Sequence, residues 1–178
     1  MRFLTMIAAA GIALAASVTP AKADVVSVGT NSFHIRHTVP LVVPAERAYT
    51  LLTEPRRWWN GEHSYSLNAD NFSLDLRPGG CFCERWDGNF VEHMRVVAVT
   101  PGESIILEGG LGPLRAAGAS GVLVWSLENT GTGSQLVMDF KVTGFVANDA
   151  EQWSAAVDYV IGEQAMRFRE RAAQLPRR

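Results

Sequence analysis

From residue 33 onward the apolar positions change period three times. In "FHIRHTVPLVV", Phe33, Ile35, Val39 and Leu41 alternate with polar neighbours, the period of a half-buried strand. Pro44 then opens a helix that sets Ala45, Ala48, Tyr49 and Leu52 on one face, and Pro55 stops it. A second short helical or irregular piece follows at "RRWWNGEH". Six segments with strand character come next: "FSLDL", "CFCERW", "FVEHMRVVAVT", "SIILEG", "GVLVWSLE" and "SQLVMDFKVTGF". The turns between them, among them "RPGG", "DGN", "PGE" and "NTGTG", carry residues that supply the backbone angles of tight reversals. The stretch therefore predicts consecutive antiparallel strands.

The last change is back to the helical period. From Asp149 to about Ala173, the residues Trp153, Val157, Val160, Ile161, Gln164 and Phe168, with Leu175 beyond, recur at intervals of three and four, opposite Glu151, Asp158, Glu163, Arg167 and Glu170. Such a stripe needs cover, and the concave face of a curved sheet is the only surface large enough. The expected class is α+β: a curved seven-stranded antiparallel sheet wrapped around a long C-terminal helix, with two short helices after the first strand. Sheet and helix can stand far enough apart to leave an internal hollow.

The stretches "VPAERAYTLLTEPRRWW", "LDLRPGGCFCE", "GVLVWSLENTGTGSQLVM" and "AVDYVIGEQAMRF" resemble the SRPBCC, or START-like helix-grip, superfamily. The nearest likeness is to its polyketide cyclase-like branch and to relatives of the chaperone-ATPase activator, and it runs from about Phe33 to Ala173. The resemblance implies an apolar ligand cavity between sheet and helix. It does not imply one activity, because the superfamily spans carriers, receptors, cyclases and co-chaperones. The Cys-x-Cys at 81 and 83 departs from the plainer glycine-glycine-polar pattern of the larger branches.

The first residues add a compartment. Arg2, an apolar run from Ile7 to Val18 and the small-x-small pattern Ala21-Lys22-Ala23 read as a signal peptide over residues 1–23. A single domain over 24–178 follows, exported to a periplasm or secreted. The run is shorter than the about 20 residues that span a bilayer, so no lasting membrane insertion is expected. Without Arg2 and Lys22, 14 basic residues face 18 acidic ones, a formal charge of −4. That balance makes nucleic acid an unsuitable partner.

Candidate chemistry concentrates in "GGCFCERWDGNFVEHM". Cys81, Cys83 and His93 are three potential metal ligands without the paired spacing of a zinc site, so no metal is assigned. A disulfide between Cys81 and Cys83 suits an exported protein, yet alternate strand residues lie roughly 6.5 to 7 Å apart, at the limit for a bridge. Two unbridged thiols lining a sheet face are the expectation. Glu84 and His93 form a candidate acid and base pair if both point inward. A three-residue "DGN" turn sets Glu84 opposite Glu92, whereas a longer loop sets it opposite His93, and the sequence leaves both registers open.

Aromatic residues carry the ligand expectation: the resemblance implies that Trp58 and Trp59 rim the cavity mouth, with Tyr65 after them, Trp125 and Trp153 as walls, and Val157 and Ile161 on the helix. The glycine-rich "GGLGPLRAAGASG" has the composition of a lid or of an ordinary loop. No phosphate-binding loop or nucleophile elbow is present, and no cofactor is assigned. The leading functional expectation is a carrier of a small apolar molecule. The alternatives are a cyclase or dehydratase using Glu84 and His93, and a protein-interaction module of the chaperone-activator kind, which export disfavours because those partners are cytosolic.

Overall fold

The structure, a computed structural model, describes residues 22–145 and 149–176. The leader expected at the amino terminus lies outside the described residues up to position 21. The chain forms β1 (Lys22–Val28), β2 (Ser32–Leu41), α1 (Ala45–Leu52), β3 (Phe72–Leu74), β4 (Cys81–Trp86), β5 (Asn89–Thr100), β6 (Ser104–Gly109), β7 (Ser120–Thr130), β8 (Gly133–Thr143) and α2 (Ala150–Ala173).

The strands make one antiparallel sheet in the order β1-β2-β8-β7-β6-β5-β4-β3, with neighbours in sequence adjacent except where β2 pairs with β8. Against the expected seven strands there is an eighth, β1, which hydrogen-bonds to β2 along the edge. Its residues, "KADVVSV", alternate polar and apolar except at Val25-Val26, where the pairing with β2 shifts register. The second expected helix is replaced by single 3-10 turns at Pro55–Arg57, Gly61–His63 and Ala69–Asn71. Asn60 and Asn68 cap the last two by accepting the N–H two residues ahead, so the segment is held turn by turn.

Alternation in β2 buries Phe33, Ile35, His37, Val39 and Leu41 on the face that meets α2. There His37 Nε2 lies 2.8 Å from Asp158 Oδ1, a hydrogen-bonded tie between sheet and helix. The contact is close because position 162 is glycine: a Cβ there would stand 2.7 Å from His37 Cε1. The lower half of α2 is sealed by Ile161, Gln164, Ala165, Phe168 and Ala172, all buried, whereas Trp153, Val157 and Val160 in its upper half are only partly covered. The helix stripe is thus closed at one end and open at the other. Among the described residues, no helix is long and apolar enough to cross a membrane.

Candidate functional site

The open half of α2 bounds a cavity of about 350 Å³. Its other walls are the 59–65 segment, His93 of β5 and the turn at Gly112–Leu114. Trp59, Tyr65, Trp153, Val157 and Ile161 line it. Trp58 and Trp125, expected as mouth and wall, do not. Both are fully buried in the core, where their rings meet edge to face at 5.2 Å and Trp58 also packs on Phe168 at 5.4 Å. Trp58 Nε1 donates to Leu51 O, which turns its indole toward α1 and leaves the wall to its neighbour Trp59.

Glu84 and His93 are brought together by a register that neither sequence alternative contained. Asp87 and Gly88 both adopt positive φ, 45° and 81°, giving a two-residue turn that pairs Trp86 with Asn89 and Glu84 with Val91. The register then shifts: Cys83 pairs with Glu92 and Phe82 with Met94, so His93 is the extra residue of a β-bulge. The bulge turns both His93 and Met94 inward, a reorientation that plain alternation forbids. His93 Nε2 lies 2.7 Å from Glu84 Oε1, with Glu84 0% exposed and His93 2%.

Glu84 also accepts the backbone N–H groups of Tyr65 at 3.1 Å and Ser66 at 3.0 Å. Burial pushes its carboxyl up, but the hydrogen bonds from Ser66, Tyr65 and His93 outweigh that and hold it below its ordinary value. Burial pushes the His93 imidazole down, against the pull of Glu84. The pair is therefore carboxylate and neutral imidazole. Gly112 N donates to His93 Nδ1 at 3.3 Å, which leaves the ring proton on Nε2, pointing at Glu84. With both nitrogens engaged, His93 offers the cavity only its ring, and Glu84 lies behind it without reaching the wall. The arrangement fastens two loops, 64–66 and 111–114, across the strand pair β4 and β5.

Cys81 and Cys83 face the opposite way, paired with Arg95 and Glu92 on the outer side of the sheet. The expectation of unbridged thiols is corrected here, because their sulfur atoms are joined as a disulfide. Their Cα atoms are 5.4 Å apart, closer than in a regular strand, where β4 passes the bulge. His93 is on the inner side, so the sheet separates it from both sulfurs.

Sequence reasoning missed the polar wall. Glu62 and His63 line the cavity, as do Leu111 and Leu114 from the glycine-rich loop. His63 Nε2 lies 2.7 Å from Glu163 Oε2, Asn60 Nδ2 donates to Glu163 Oε1 at 2.6 Å, and Arg167 Nε donates to Trp58 O. Glu163 and Arg167 were expected on a solvated helix face. The 58–63 segment covers that face and takes them as anchors.

The profile of the family described as Activator of Hsp90 ATPase homolog 1-like protein matches residues 42–163, well over half of the chain, and the protein belongs to that family. It shares the helix-grip fold of the SRPBCC superfamily. Solved structures agree on the fold. Protein MLL2253 from Mesorhizobium loti superposes with a TM-score of 0.60 at 17% identity, over 81% of this chain and 99% of that one. Protein SA2116 from Staphylococcus aureus gives 0.57 at 9% identity, over 80% and 94%. Protein NE0264 from Nitrosomonas europaea gives 0.54 at 17%, over 80% and 96%. None of the curated proteins compared with it is a significant match.

Proposed function

We propose that this protein is a carrier that shields one small apolar molecule in the cavity beside the upper half of α2. The observation that supports this best is an apolar stripe left partly uncovered by its own fold: Trp153, Val157 and Val160 border a hollow and are only partly covered. About 350 Å³ has room for roughly a dozen waters, which fits a guest of one or two rings and not a two-chain lipid.

The same reading takes the protein to act outside the cytoplasm, on the strength of Arg2, the apolar run and Ala21-Lys22-Ala23. Cleavage after Ala23 leaves Asp24–Val28 of β1 paired with β2. A cyclase or dehydratase mechanism through Glu84 and His93 is disfavoured, because Glu84 does not reach the wall and both His93 nitrogens are engaged. ATPase activation, which the family's name describes, is not carried over.

Native mass spectrometry of the exported, purified protein tests this reading. The expected result is a chain beginning at Asp24 with one retained apolar compound per chain, released by organic extraction. A chain that binds no apolar compound, even after incubation with a two-ring aromatic, contradicts it.

A further inference from the structure

Two histidines reach the cavity wall, and they differ in what the second ring nitrogen meets. His93 gives both nitrogens to the protein, one to Glu84 and one to Gly112 N–H. His63 gives only one. Its Nε2 lies 2.7 Å from Glu163 Oε2, and its Nδ1 has no hydrogen-bond partner among the described residues.

Asn60 fixes the direction of this arrangement. Its Oδ1 accepts the Glu62 N–H at 3.1 Å, which aims its Nδ2 at Glu163 Oε1. Glu163 thus receives a donor on each oxygen, from Asn60 and from His63. Burial pushes the Glu163 carboxyl up, but its bonds to His63 and Asn60 hold it below its ordinary value, so it stays an acceptor. A neutral imidazole that donates from Nε2 carries a bare lone pair on Nδ1. The ring is braced by Tyr159, edge to face at 6.0 Å. Of the other polar residues at the wall, Glu62 and Tyr65 are exposed, Trp59 Nε1 donates to His63 O, and Ser64 Oγ lies 3.4 Å from Ser66 Oγ.

We propose that the guest is an apolar molecule bearing one hydroxyl or N–H group, and that His63 Nδ1 accepts its hydrogen bond. Glu163 is the positioning residue that sets the accepting tautomer. The inference rests on the carrier reading above and narrows it to a chemical class. A donor group entering a largely apolar cavity loses water and needs one partner inside, which discriminates against molecules that cannot supply or satisfy it.

The test compares 2-naphthol with 2-methylnaphthalene, nearly the same shape with and without the donor, by quenching of tryptophan fluorescence in the unmodified protein. Binding of 2-naphthol about fivefold tighter is expected, the size of one net hydrogen bond. In His63→Phe the preference disappears while 2-methylnaphthalene still binds. In Glu163→Gln, Asn60 holds the amide oxygen and the amide nitrogen faces His63. The ring proton therefore moves to Nδ1, read as exchanged nitrogen-15 shifts of the His63 ring, and the preference is lost again. Equal binding of both probes by the unmodified protein, or a preference that survives in His63→Phe, overturns this inference and leaves the carrier reading intact. Binding of neither probe overturns both.

Discussion

Glu84 Oε1 and His93 Nε2 meet at 2.7 Å inside the protein because β5 carries one residue more than β4 at that point. The pair ties the 64–66 loop, through the N–H groups of Tyr65 and Ser66, to the 111–114 loop, through Gly112. Its work is to hold two walls of the cavity in place.

Removing one partner of this pair leaves the other buried and unmatched. Glu84→Ala should cost about 3 kcal/mol of stability, measured by urea denaturation. Against a His93→Ala background the same change should cost less. Equal costs in both backgrounds would show that the two residues act separately.

Acidification should destabilise the protein in two stages. The buried His93 titrates below its ordinary 6.5, so the unfolded chain takes up that proton first and stability begins to fall as the pH drops below 6.5. Glu84, Asp139 and Glu163 are depressed carboxylates; their contribution is present above the ordinary values of 4.5 and 3.8 and is lost as the pH falls through the folded ones. Melting temperature followed from pH 7 to pH 3 checks both stages. His93→Gln should flatten the curve just below pH 6.5 and leave the lower stage.

Two tryptophans separate cavity from core. Trp125→Ala should cost about 3–5 kcal/mol, since Trp125 is wholly buried against Trp58 and Phe82. Trp153→Ala should cost much less, because Trp153 is partly covered and, among the described aromatic rings, stacks on Phe145 alone, yet it should weaken capture of an apolar probe more than it disturbs folding. Equal loss of both in Trp153→Ala would mean that this side chain only packs.

Gly162→Ala sets helix propensity against contact. Alanine gains up to about 1 kcal/mol in a helix. Its Cβ would press on His37, which is buried and bonded to Asp158, so the expected net effect is a loss of about 1–2 kcal/mol. Chemical denaturation checks the sign.

Much of this fold was legible from period alone. The strands from Ser32 to Thr143 and the helix Ala150–Ala173 fall where alternation and the three-four spacing set them. The bulge at His93 was not legible, because no residue type marks an extra position in a strand, and with it went the inward turn of the pair. Trp58 and Trp59 are identical in the sequence and part company only through the Leu51 carbonyl that receives the first indole. Glu163 and Arg167 read as solvent-facing because periodicity gives the face of a helix and not what lies over it. Sequence spacing also missed the Cys81–Cys83 bridge, because the Cα atoms stand 5.4 Å apart, closer than in a regular strand.

The central claim is that the hollow beside α2 holds a guest, and its most direct measurement is a fluorescence titration of the unmodified protein and Val157→Trp with 2-methylnaphthalene. Val157 lines the cavity and is only partly covered, so a larger side chain there takes up part of the hollow. The account predicts saturable binding at one site in the unmodified protein and at least tenfold weaker binding in Val157→Trp, with the variant still folded cooperatively. Binding of equal affinity in both proteins, or no binding in either, would contradict it.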